Sequence, residues 1–108
     1  MIARSLREIA SAGRKKLLIE RIVLSKSEDL VCNNMMCEKV TLPCICRLEK
    51  VLDGVDSPES VLSIDISGNA LECLPPSLAK FTRLQHLDLR GNSLEDVPAY
   101  LDGVSVTR

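Results

Sequence analysis

The plainest regularity in the chain is an alternation of apolar and polar positions that returns at a fixed interval, the step that separates Asn69 from Asn92. Sliding the sequence by that interval places Val61 on Leu84, Ile64 on Leu87, Ile66 on Leu89 and Asn69 on Asn92. It also places Leu71 on Leu94, Leu74 on Val97, Pro75 on Pro98, Leu78 on Leu101 and Phe81 on Val104. All these positions keep their chemical class, and a fixed period in this range signals a solenoid of stacked units. Within each unit, Ile64-Asp65-Ile66 and Leu87-Asp88-Leu89 alternate with period two, which predicts half-buried strands with Asp65 and Asp88 facing out. Ser67-Gly68 and Arg90-Gly91 end those strands. Asn69 and Asn92 then fall where the backbone turns inward and its polar groups lose their ladder partners. A buried Asn amide carries donors and an acceptor, so it can satisfy them. Leu71 and Leu74 close the layer, and Pro75-Pro76 and Pro98 start the return path. Residues 77–81 predict a short helical return with Leu78 and Phe81 on one face.

These residues resemble the leucine-rich repeat family. The stretches Val61-Leu-Ser-Ile-Asp-Ile-Ser-Gly-Asn-Ala-Leu-Glu-Cys-Leu-Pro and Leu84-Gln-His-Leu-Asp-Leu-Arg-Gly-Asn-Ser-Leu-Glu-Asp-Val-Pro follow its pattern throughout. The period and the apolar-Pro ending are similar to the typical intracellular subclass, that of Ras-suppressor and plant intracellular Ras-group repeats. The resemblance implies an α/β fold: a short curved solenoid with parallel strands on a concave, usually binding, side. It implies protein binding and no chemistry. Carried over to this sequence, the concave positions are Ser63, Asp65 and Ser67 in one repeat, and Gln85, His86, Asp88 and Arg90 in the next. Stacking puts Asp65 beside Asp88, a repulsion that Arg90 or a basic partner would relieve. A merely solvated face is the competing reading.

Outside residues 61–104 the pattern weakens. Val40-Thr-Leu42 alternates like a strand, and residues 48–55 echo the end of a repeat, so residues 37–60 read as a degenerate repeat or cap. Residues 1–36 read as a basic amphipathic helix and a polar connector carrying Asn33-Asn34. Ile2, Leu6, Ile9, Gly13 and Leu17 share helical spacing over residues 1–18, with Gly13 a candidate helix end. Leu18–Leu24 fits either a continued helix or a strand, because its β-branched residues favour the latter. Residues 105–108 read as a tail.

With 108 residues the chain has length for one domain, and 2% aromatic content makes its core aliphatic. The net charge of -1 conceals an asymmetry. Residues 1–26 hold seven basic and two acidic groups, and the remainder seven and thirteen. The basic arm of Arg4, Arg7, Arg14, Lys15 and Lys16 suits an acidic surface on RNA, lipid or protein. No aromatic platform for bases accompanies it. An Arg- and Ser-bearing, acid-poor N-terminus also resembles a mitochondrial transit peptide; an N-terminal cap on the repeat array is the competing reading.

The five cysteines are odd in number, and no Asn-x-Ser/Thr sequon or secretory apolar run occurs. This suits the cytoplasm or another reducing compartment, with the mitochondrial matrix as the alternative. Cys32-x4-Cys37-x6-Cys44-x-Cys46 lacks a Cys-x2-Cys pair, so these residues read as small buried hydrophobes and no metal is expected. His86 is the only histidine, no nucleophile–base pair is legible, and no phosphate loop occurs, so neither an enzyme nor a cofactor is expected.

The expectation is a non-catalytic interaction module, an accessory or adaptor subunit of a larger assembly. An organellar subunit of a ribosomal or respiratory assembly, anchored by the basic helix, is the alternative. The array ends near Val104 without a capping motif, so Leu87, Leu89, Leu94, Val97 and Leu101 are expected to form an open C-terminal edge that a partner covers.

Overall fold

The computed structural model describes residues 1–26, 28–32, 35–36, 44–94, 99–101 and 103–107. The fold is α/β. Five short strands, β1 (Ile2–Ala3), β2 (Arg21–Val23), β3 (Ser63–Asp65), β4 (His86–Asp88) and β5 (Ser105–Thr107), form one sheet in chain order. Every neighbouring pair is parallel. Each strand turns one apolar residue inward at the same height. Register aligns Ala3, Ile22, Ile64, Leu87 and Val106, the first four buried and Val106 half-buried. The sequence steps along this row are uneven, and the one from Ile22 to Ile64 is by far the longest.

Parallel neighbours need a crossover between them. Helix α1 (Leu6–Lys15) supplies the first and α2 (Ile45–Asp53) lies in the second. The third and fourth contain 3-10 turns at Pro76–Lys80 and Ala99–Leu101. These segments bury Ile9 and Ala12, Leu48, Val51 and Leu52, Leu78, and Leu101 in one cluster with the strand residues. Full burial of an aliphatic side chain contributes about 1.5–3 kcal/mol. As the repeat pattern predicts, Pro76 opens the third return, and Leu78 and Phe81 are buried.

Local chemistry fixes the ends of α1. Ser5 Oγ accepts from Glu8 N at 3.2 Å, the Glu8 carboxylate accepts from Arg4 N at 2.6 Å, and Asp29 accepts from Leu6 N at 2.8 Å. These bonds satisfy donors that a helix start leaves open. Gly13 does not end the helix. Lys16 does, by adopting left-handed backbone at φ 57°, and Leu17 N then bonds back to Ala12 O at 2.8 Å.

Three expectations are corrected. First, β2 pairs directly with β3, so the sheet neighbour before the clear repeats is residues 21–23, where the sequence pattern suggested residues 40–42. Those residues lie outside the described ones. The cause is legible at a second, longer shift, which places Ile19, Ile22, Leu24 and Ser25 on Val61, Ile64, Ile66 and Ser67. Residues 1–36 accordingly hold two strands and a helix rather than a helix and a connector. Second, residues 105–107 are not a tail but strand β5. Third, the C-terminal edge of β4 is covered by the chain itself: Leu89 N donates to Thr107 O at 2.7 Å, and Leu87, Leu89 and Leu101 are at most 4% exposed. Leu94 is half-buried against the same core. Val97 lies outside the described residues.

Candidate interaction surface

The outward positions of β2–β5 form two rows across the open face of the sheet. Register puts Arg21, Ser63, His86 and Ser105 in one row, and Val23, Asp65, Asp88 and Thr107 in the other. A shallow cleft of about 470 Å³ runs across them, lined by Arg21, Val23, Ser63, Asp65, His86, Asp88 and Thr107. The expected pairings of Ser63 with His86 and of Asp65 with Asp88 are therefore present. Gln85 lies just before β4, its N–H bonded to Leu62 O at 2.8 Å and its carbonyl accepting from Ser105 N at 2.8 Å. Sequence reasoning missed Arg21, Val23, Ser105 and Thr107, which reach this face only because β2 and β5 join the sheet.

The two stacked carboxylates differ in their surroundings. Arg90 grips Asp88 with a fork, Nε to Oδ1 at 3.0 Å and Nη2 to Oδ2 at 2.7 Å. That guanidinium holds the Asp88 carboxyl below the usual carboxylate range, against the smaller opposing effect of burial. Asp65 Oδ1 accepts from Ser67 N at 2.9 Å, which caps the turn, and has no ion pair among the described residues. Ser67 Oγ meets Ser25 Oγ at 3.0 Å, extending the face one step beyond the strands. The surface thus offers one neutralised carboxylate, one carboxylate with acceptor capacity to spare, two guanidinium groups and an imidazole. Such a set suits a polar protein segment.

Beneath the face, the two Asn residues hold the turns together as the repeat pattern predicts. Asn92 Oδ1 accepts from Asn69 N at 3.1 Å and Leu71 N at 3.0 Å. Its Nδ2 donates to Ile66 O at 2.9 Å and Leu89 O at 3.1 Å. Asn69 Nδ2 donates to Leu24 O at 2.9 Å and Ile66 O at 2.8 Å. Each amide therefore spans its own turn and the one before.

The basic arm is not a free arm. Arg4, Arg7, Arg14, Lys15 and Lys16 are exposed, yet Ile9 and Ala12 of the same helix are buried and β1 is paired with β2. No helix among the described residues is long and apolar enough to cross a membrane. Away from the open face, Cys32, Cys44 and Cys46 come together, with sulfur atoms all within 4.8 Å of one another. Cys32 and Cys46 are 3.4 Å apart. The neighbouring Cys44 thiol, then burial, then Cys32 push the Cys46 thiol up to about 12. Cys37 lies outside the described residues, and Cys73 is exposed elsewhere.

No curated protein and no solved structure matches the chain. Residues 83–103 match the Leucine Rich Repeat family model. That segment contains β4, Asn92 and the start of the return path, and the shift that carries Asn92 onto Asn69 maps it onto residues 60–80. Its inward aliphatics, its Asn bonds and its place in a parallel sheet agree with the sequence match, which identifies residues 83–103 as a leucine-rich repeat.

Proposed function

We propose that this chain is a short solenoid whose task is to bind protein without catalysis, as a small accessory subunit of a larger assembly. The supporting observation is the cleft across β2–β5, where Asp65 keeps unused acceptor capacity beside Arg21 and His86. Leucine-rich repeats are typically protein-interaction modules, and exposed polar groups carried on a rigid sheet are a common way to present a binding surface. A reducing compartment suits the thiol-rich composition.

The reading is tested with a photo-crosslinking residue placed at Ser63 or His86 on the open face, or at Ala79 on the return side, in the full chain in its native cells. Adducts to one protein from Ser63 and His86 but not from Ala79 are expected. Asp65→Lys is expected to weaken that association at least tenfold, about 1.4 kcal/mol. Equal adducts from both sides, or none from either, would reject the open face as the binding surface.

The alternative, an organellar subunit docked by basic residues, draws support from the exposed charges on α1. Removing residues 1–18 is a poor test because it deletes β1 and α1 from the core. Reversing Arg7, Arg14 and Lys15 to Glu leaves the buried face intact. Loss of association in that variant, with Asp65→Lys silent, would favour the alternative.

A further inference from the structure

We propose that Cys32, Cys44 and Cys46 form a zinc-binding site that staples the long β2–β3 crossover to itself. The three sulfurs come from two separate segments. Cys32 follows the 3-10 turn Glu28–Leu30, whereas Cys44 caps the N-terminus of α2 and Cys46 lies in its first turn. A backbone bond from Cys44 N to Leu30 O at 3.0 Å joins the segments at the same place. The Cys32 and Cys46 sulfurs are 3.4 Å apart, and all three lie within 4.8 Å of one another. Zinc–thiolate bonds of about 2.3 Å at a tetrahedral angle require sulfurs about 3.8 Å apart. The observed separations bracket that value, so metallation needs shifts of no more than about an ångström.

Burial and position favour a cation over chance packing. Cys32 and Cys44 are buried and Cys46 is half-buried, so the cluster sits at the rim of the core with one open side. A core cysteine acting as a small hydrophobe packs against carbon, but here each thiol faces two others. Chemically, one Zn2+ replaces three thiol protons, giving a tris-thiolate of net charge −1 and three protons released to solvent. The fourth position is left to water or another ligand. The benefit to the fold is concentrated here, because this crossover is the longest in the sheet.

The test uses the full chain, reduced and freed of metal, titrated with Co2+ and then Zn2+. One cobalt per chain is expected, with near-ultraviolet thiolate-to-cobalt charge transfer that zinc abolishes. In the unmodified chain, zinc is expected to slow alkylation of Cys32, Cys44 and Cys46 at least tenfold and to leave Cys73 unchanged, read by peptide mass spectrometry. Cys46→Ser, checked for folding by circular dichroism, is expected to lose at least tenfold in zinc affinity, and Cys73→Ser none. Absent charge transfer at stoichiometric cobalt overturns the proposal. So does alkylation indifferent to zinc, or equal losses in Cys46→Ser and Cys73→Ser. The alkylation arm needs no variant, so a misfolded mutant leaves the proposal falsifiable.

Discussion

Asn92 ties four backbone groups from two successive turns through one amide: Asn69 N, Leu71 N, Ile66 O and Leu89 O. An aliphatic residue of the same size would leave these groups without partners in a place water reaches poorly. Leaving a buried polar group unsatisfied costs about 1–3 kcal/mol. Asn92→Leu is therefore expected to destabilise the chain by about 3 kcal/mol, read as a lower urea midpoint. Asn92→Asp keeps the acceptor and loses the donors, so an intermediate loss is expected; a silent Asn92→Leu would show that the turns do not depend on the ladder. Nearby, Gly91 has a reason of its own. Its φ is 74°, and a Cβ there would lie 3.0 Å from Gly68 Cα, so the stacked turns touch backbone to backbone. Both Asn residues and both glycines were legible in the sequence, because each is fixed by local backbone demands that recur at every repeat.

Elements were legible in proportion to how well they keep the period. β3 and β4 lie one regular interval apart and carry the full motif. β2 stands much further from β3 than one period, and the Asn of the motif becomes Ser27, so only a second shift reveals it. β5 follows β4 sooner than the period allows, and has neither a motif nor a full aliphatic pattern. Its inward residue, Val106, is half-buried, yet its backbone closes the edge beside Leu87 and Leu89. Val106→Asp puts a charge on the core side of that strand. It is expected to cost about 2 kcal/mol and to free an edge that recruits other strands. The checks are hydrogen exchange at the Leu89 amide and sedimentation: faster exchange with self-association is expected, and unchanged exchange would mean that β5 does not protect the edge.

At the scale of the whole molecule, the composition suggested a basic arm attached to an acidic body, and the structure dissolves that division. Arg21, counted with the basic arm, stands in the sheet's outer row beside Ser63. α1 packs its apolar face into the common core and turns Arg7, Arg14 and Lys15 to solvent. Half of the candidate face, Ser63, Asp65, His86 and Asp88, could be read from the repeat. The other half depended on which distant segments became neighbouring strands, and that is set by packing in three dimensions rather than by local pattern. The cysteine cluster escaped the sequence for the same reason, since its spacing fits no recognised metal motif.

The uneven intervals between strands have a kinetic consequence. Closing a chain loop costs entropy that rises with the logarithm of its length, so bringing β2 to β3 costs only about 0.5 kcal/mol more than bringing β4 to β3. The larger handicap is that the longer segment has no repeat motif to organise it. The β3–β5 half should then act as the folding nucleus, with β2 and α1 docking after the barrier. Leu87→Val is expected to slow refolding, whereas Ile22→Val is expected mainly to speed unfolding, as stopped-flow chevrons would show. The reverse partition would place the nucleus at the N-terminal end. On this view the two regular repeats are a template, and the irregular half of the protein is ordered by being laid against them.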